Sequence, residues 1–269
     1  MIHSISRGDL RSRMTYDRVT MLAGRMERHL RGNRIVGLML PRESSHAFNW
    51  KEVKTSGSWS PFETVYRAGP VVLPFLGFDL EPERRIDAVR VLRILRAESL
   101  VVAAGCTALN NECEAGSYVL VDDHVNCTGE SPLRGPNDER LGPRYPDMSE
   151  PYDALWSFRL RSGAASMGLD LRSVVYGRIG GSTAGDDPST WLQSGIDAGI
   201  DVVGEGLLDE VIAAVHCGLP VAAVGVVEKC WPVDENVLFS SIPAQSEVYG
   251  RLAEIINQCL LCRGGMDDG

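Results

Sequence analysis

Two hydrophobic rhythms alternate along this chain. Met14, Val19, Met21, Leu22, Met26 and Leu30 fall at helical spacing and predict an amphipathic helix over 14–31. A continuous apolar run follows, Ile35-Val36-Gly37-Leu38-Met39-Leu40, the pattern of a strand buried on both faces. Residues 41–62 keep neither rhythm and read as irregular, with Ser, Pro, Gly, Trp50 and Trp59. Thr64–Arg67 and Val71–Leu76 read as strands. Glu83–Glu98 reads as a helix with Ile86, Val89, Leu92 and Leu95 on one face and Arg84, Arg85, Arg90, Arg93 and Arg96 over much of the rest. Further strands are predicted at Leu100–Ala104, Ser117–Val121, Arg172–Tyr176, Asp201–Gly204 and Pro220–Val227. Helices are predicted over 155–167, 188–198, 207–216 and 245–261, with Gly218 as the left-handed stop of the third. Strands alternating with helices predict an α/β fold, a mostly parallel sheet wrapped on both faces. No repeat or low-complexity linker interrupts it, so one domain over 1–269 is expected, with 1–34 as an arginine-rich N-terminal helix region.

Composition narrows the setting. Hydrophobic residues make up 44% of the 269, enough for a sizeable core. No apolar run approaches the roughly 20 residues that span a bilayer, and the first residues lack the apolar stretch of a signal peptide. Seven scattered cysteines, at 106, 113, 127, 217, 230, 259 and 262, suit reduced thiols in an intracellular protein. The expected setting is cytoplasmic, with the nucleus also open to it. Cys259 and Cys262 have metal-like spacing but no second pair, and no metal or cofactor is expected. The net charge of −9 is uneven: residues 1–34 carry eight arginines against Asp9, Asp17 and Glu27. Guanidinium groups in that head could meet phosphate, nucleic acid or an acidic partner, or form a solvated helix face. No recognised nucleic-acid motif accompanies them.

The most specific stretch runs from Pro132-Leu133-Arg134-Gly135-Pro136-Asn137-Asp138-Glu139-Arg140 through Gly142-Pro143-Arg144-Tyr145-Pro146. Composition rules do not generate such a run. It closely resembles a loop of the trimeric purine nucleoside phosphorylases, "NPLRGPNDERFG-RFP". Leu100-Val101-Val102 with Leu109-Asn110, Leu120-Val121-Asp122-Asp123-His124-Val125-Asn126, Met148–Asp153 and Glu210–Leu219 extend the resemblance from Val89 to Val227. It implies a mixed sheet with a distorted barrel, flanking helices and assembly as a trimer. The implied reaction is phosphorolysis of a purine nucleoside, a glycosyl transfer to phosphate. His124 and His216 sit within scaffold motifs and read as packing residues.

The motifs that the resemblance assigns to ligands depart from the pattern. The phosphate loop "GSGLG" is replaced by Pro41-Arg42-Glu43-Ser44-Ser45, where Arg42 and Ser44 are what remains to touch an anion. "GRFH", an arginine and a ribose-side histidine, becomes Leu76-Gly77-Phe78-Asp79. Ala104 and Gly105 end the "TNAAGG" strand, and Asp187 stands near the purine glutamate. "GMS" becomes Gly204-Glu205-Gly206, the purine-donor asparagine falls at Lys229, and the late histidine near Gln245. The glycine-rich 177–185 connection fits neither dinucleotide nor P-loop spacing. Losing one preorganised polar group costs about 10²–10³ in rate. The expectation is therefore a protein without ordinary phosphorolysis that works by binding, alone, with an active paralogue or with a purine-like ligand. The alternative is an active enzyme whose new groups at Asp187, Glu205, Glu228 and Lys229 serve an altered substrate or nucleophile.

Overall fold

The computed structural model describes residues 7–41, 50–53, 61–78, 80–180, 195–231 and 245–261. In chain order the elements are α1 (Arg7–Leu30), β1 (Arg34–Met39), β2 (Lys51–Glu52), β3 (Thr64–Ala68), β4 (Val71–Leu76), α2 (Pro82–Ile94), β5 (Ser99–Ala108), β6 (Tyr118–Asn126), α3 (Ala154–Ala165), β7 (Arg172–Arg178), β8 (Val202–Gly204), α4 (Leu208–Cys217), β9 (Val221–Cys230) and α5 (Gln245–Leu261). The described strands form one sheet in the order β2-β3-β4-β1-β5-β8-β7-β6-β9. β9 returns to pair with β5, so β5, β8, β7, β6 and β9 close into a barrel. β1, β4, β3 and β2 continue from β5 as an open wing.

One apolar layer, including Val19, Met26, Leu92, Val211 and Ala214, lies under α1, α2 and α4. A second, including Trp156, Leu160, Leu252 and Ile256, lies under α3 and α5. Those two helices approach closely at Gly163, where an added Cβ would stand 2.8 Å from the Ile255 carbonyl oxygen.

The predicted α/β class and the alternation of elements agree with this structure, and the boundaries differ for physical reasons. α1 begins at Arg7 rather than Met14, because its first turns are polar and leave no apolar rhythm to read. α2 ends at Ile94, four residues short of the predicted end. Arg96 is left-handed (φ 57), and the Ala97 N–H reaches back to the Leu92 carbonyl at 2.9 Å, closing the helix as glycine commonly does. β6 runs past Val121 into the more polar Asp122–Asn126, of which Asp123–Asn126 pair with Val175–Arg178 on the barrel after a register shift at Asp122. The 188–198 helix is described only at 195–198, of which 195–197 are helical.

Glu210, 1% exposed, is held by Arg85 at 2.7 Å. Burial raises the Glu210 pKa and Arg85 lowers it, with burial the larger effect. Arg85 also donates to the carbonyls of Phe78 and Leu80, tying α2 to the end of β4. Replacing Arg85 with Met leaves an uncompensated buried carboxylate, and a loss of about 3–5 kcal/mol is expected at neutral pH. The folded Glu210 then binds its proton at a higher pH than the unfolded chain. Stability of the variant should consequently rise as pH falls from its folded pKa towards the unfolded value near 4.5. Urea unfolding of Arg85→Met as a function of pH checks both the size and the sign.

Candidate functional site

Strands β1, β4, β5 and β9 run parallel, so their C-terminal ends open on the same side of the sheet. Ligand sites in such sheets form beyond those ends. Gly77 and Phe78 leave β4, Ala104 and Gly105 lie in β5, Gly204-Glu205-Gly206 leaves β8, and Glu228 and Lys229 lie near the end of β9.

Close glycine contacts show how tightly these segments meet. A Cβ on Gly206 would stand 3.2 Å from the Ala104 Cβ and 3.6 Å from the Phe78 ring. One on Gly204 would stand 2.2 Å from the Tyr176 hydroxyl and 2.9 Å from the Gly105 carbonyl oxygen. One on Gly105 would stand 2.5 Å from the Glu228 carboxylate carbon. Gly77, Phe78, Ala104, Gly105, Gly204, Gly206 and Glu228 are thus brought to one place. The sequence register places Lys229 beside them, and its side chain is exposed, as is that of Glu205. Gln245 opens α5, one helical turn before Tyr249. Arg42, Ser44, Asp79 and Asp187 lie outside the described residues, as does most of the 177–185 connection.

Carboxylates meet the backbone at this mouth, with Lys229 beside them. The Gly77 N–H, where the resemblance placed a phosphate arginine, donates to the Glu63 carboxylate at 3.0 Å. Glu228 reaches Gly105 because the β5–β9 ladder slips there: Cys106 pairs with Val227 and Thr107 with Lys229, leaving Glu228 as an extra residue. A bulge of this kind re-aims a side chain. The Tyr249 hydroxyl donates to the turned carboxylate at 3.1 Å. Burial, seconded by Glu228, pushes the Cys106 thiol far above its ordinary range. Tyr176 is fully buried, which raises its hydroxyl pKa well above that of a free phenol.

Leu207 follows with φ 64 and ψ −32, and the Leu208 N–H closes a three-residue turn on the Gly206 carbonyl at 2.9 Å. This backbone form is rare and strained, and Leu207 tolerates it while fully buried. Sequence reading missed this turn, the bulge, Glu63 and Tyr249, since none leaves a local composition signal.

The long loop that carries the resemblance uses its polar groups on itself. Asp138 accepts from Arg140 at 2.6 and 2.8 Å, and Arg144 donates to the carbonyls of Leu133 and Gly135. Asn137 donates to the Gly142 carbonyl and meets His216 Nε2 at 3.1 Å. His124 meets the Tyr152 hydroxyl at 3.1 Å. Burial lowers the pKa of both histidines, in keeping with packing roles. Among the described residues no group of His, Cys, Asp and Glu could hold a metal ion, and Cys262 lies outside them. No described helix is long and apolar enough to cross a membrane.

Residues 37–256 match the family profile described as the Phosphorylase superfamily. The chain belongs to that superfamily. It is 40% identical over 138 residues to a purine nucleoside phosphorylase of Bos taurus, 49% of this chain and 47% of that one. It is 35% identical over 139 residues to purine nucleoside phosphorylase 1 of Geobacillus stearothermophilus, 52% of this chain and 50% of that one. The chain spans about half the length of the curated relatives it matches. A Schistosoma mansoni purine nucleoside phosphorylase crystallised with a monocyclic inhibitor superposes with a TM-score of 0.71 at 19% identity, over 92% of this chain and 97% of that one. The same Schistosoma mansoni enzyme in complex with inosine gives 0.70 at 19% identity, over 92% and 96%. These structural likenesses establish the fold.

The glycine contacts separate two substitutions that look equivalent in the sequence. Gly204→Ala drives a Cβ into a buried ring and a backbone carbonyl, and a loss of about 2–3 kcal/mol is expected. Gly105→Ala meets only the movable end of Glu228, and a cost below about 1 kcal/mol is expected. Thermal unfolding of the two variants side by side measures the difference.

Proposed function

We propose that this member of the phosphorylase superfamily has kept the nucleoside phosphorylase scaffold without ordinary phosphate-dependent cleavage. In this reading it works by binding, as a scaffold, as a regulator of an active paralogue, or as a sensor of a purine-like ligand. Assembly as a trimer belongs to the same proposal. The observation that carries it is the presence of two carboxylates at the strand ends, beside positions that the resemblance gives to phosphate and purine groups. Glu63 already occupies the Gly77 N–H, and Glu228 lies over Gly105. Two unit charges 4 Å apart interact by about 4 kcal/mol at an effective dielectric constant of 20. A phosphate dianion drawn to such a mouth meets a repulsion comparable to the roughly 3–4 kcal/mol that one good oxyanion donor supplies.

Inosine or guanosine with inorganic phosphate should therefore give no release of base above background. Turnover within about a hundredfold of the median enzyme rate, near 10 s⁻¹, would overturn the proposal.

One observation favours a second reading. The Tyr249 hydroxyl holds Glu228 beside Lys229, the position that the resemblance gives to the donor to the leaving purine. A carboxyl group so placed can give a proton to the departing base as the C–N bond breaks, while water adds to the sugar carbon from the opposite face and releases its proton to solvent, from which the carboxylate is reprotonated. The enzyme would then be a nucleoside hydrolase, indifferent to phosphate. Mass spectrometry of a nucleoside panel incubated without phosphate decides this. Catalytic release of any base, lost in Glu228→Gln, would establish the hydrolytic reading over the binding one.

A further inference from the structure

A concavity of about 900 Å³ runs along α2 from Arg178 and Asp209 to Arg90 and His216, and a second one adjoins it towards the other end of the sheet. Its walls are the C-terminal half of α2, the last turn of α4 and the Glu139–Pro143 part of the long loop. Its volume is about 550 Å³, within the range of small-molecule sites. Arg90, Arg93, Arg96 and Arg140 line it, together with His216, and among its lining residues Glu139 is the only carboxylate.

The arginines are differently engaged. Arg140 is held by Asp138 and lies 4.1 Å from the Tyr16 ring centre. Arg93 gives its Nε–H to the Cys217 carbonyl at 2.8 Å, which fixes the guanidinium, and Arg90 lies 4.0 Å from the Asp87 carboxylate. Arg96 is exposed at the rim on a left-handed backbone, where glycine would be unstrained.

Two buried polar atoms in the lining have no hydrogen-bond partner among the described residues: Arg90 Nε and His216 Nδ1. His216 is only 3% exposed. Its tautomer follows from Asn137. The Asn137 amide nitrogen faces the Gly142 carbonyl at 3.0 Å, so its oxygen faces His216 Nε2. Nε2 therefore carries the proton, and Nδ1 presents a lone pair. The Arg90 charge acts directly on this imidazole and helps to keep it neutral. The lining thus offers one buried donor, one buried acceptor and several guanidinium forks. A hydrogen phosphate group matches that set: its charged oxygens accept from arginine, and its P–O–H donates to the imidazole.

We infer that this groove binds a phosphate-bearing small molecule, at the end of the sheet opposite the strand-end mouth. The inference does not depend on whether the mouth is catalytic. It also assigns a role to a strained arginine that fold stability alone disfavours.

Pyrophosphate and inorganic phosphate, titrated calorimetrically into the full chain at low ionic strength, test it. Wild type should bind pyrophosphate with a submillimolar Kd. Arg96→Gly should keep or raise the melting temperature without anion and weaken pyrophosphate binding by about tenfold, as should Arg93→Gln. Arg251→Gln, which removes an exposed arginine of α5, should bind pyrophosphate like wild type. Absence of submillimolar binding by wild type would overturn the inference. So would unchanged affinity in Arg96→Gly, an equal loss in Arg251→Gln, or binding of a single-stranded oligonucleotide with none of pyrophosphate.

Discussion

β5 pairs with β1 along Ser99–Val102, with β8 at Thr107 and Ala108, and with β9 along the whole of its other edge. Ten residues therefore satisfy three neighbours, and the strand belongs to the open wing and the barrel at once. That double membership demands burial on both faces, and Ser99–Ala104 are all buried. It also demands small residues where the barrel curves. Ala104 faces Gly225 across the β9 pairing, and a Cβ on Gly225 would stand 2.7 Å from Val119 and 3.0 Å from the Cys106 sulfur. Closure of the barrel and the choice of glycine and alanine here are one constraint, and the helices pack around its result.

The site inherits its character from the same closure. Pairing over the full length of β5 and β9 is accommodated by a register shift beyond Cys106, and the residue left over is Glu228. A carboxylate that strict alternation would place elsewhere is thereby set against Gly105 and held by Tyr249 from α5. On the other flank the short β8 passes into α4 through Leu207, whose positive φ costs on the order of 1–3 kcal/mol. Complete burial of its side chain offsets roughly that amount. The mouth is therefore shaped by two irregularities, one in a ladder and one in a turn, each fixed by packing further away.

This division explains what could be read in advance. The rhythm of apolar positions located the described strands from β3 to β9 and the helices between them, because burial is periodic along the chain. The motif from Pro132 to Arg140 identified the scaffold, because Asp138, Arg140 and Arg144 build the loop through bonds to its own backbone and side chains. The replacement of arginine by Gly77 and the arrival of Glu205 and Lys229 could be read by alignment to the resemblance. The roles of Glu63 and Tyr249 could not. Glu63 acts on Gly77 across the β3–β4 hairpin and Tyr249 on Glu228 from α5, through contacts that exist only once those elements have paired and packed. The left-handed Arg96 was equally hidden, since arginine gives no sign of a helix stop.

α4 connects the two ends of the molecule electrostatically. Its N-terminus lies next to the strand-end mouth, where the partial positive charge of a helix would favour a phosphate. That advantage is already taken by the helix's own first turn. Asp209 is bound by Arg178 at 2.7 and 3.0 Å, and Glu210 by Arg85. With Glu63 and Glu228 alongside and Lys229 as the nearby cation, little positive charge is left there to hold a phosphate dianion. The C-terminus of α4 carries the opposite partial charge, and Arg93 meets it at the Cys217 carbonyl. A helix C-terminus that draws in one arginine also holds the position of the guanidinium groups around it. Arg90, Arg96 and Arg140 then face the groove beyond, with Glu139 the only carboxylate among its lining residues. The same ten-residue helix thus disfavours an anion at one end of the sheet and organises cations at the other.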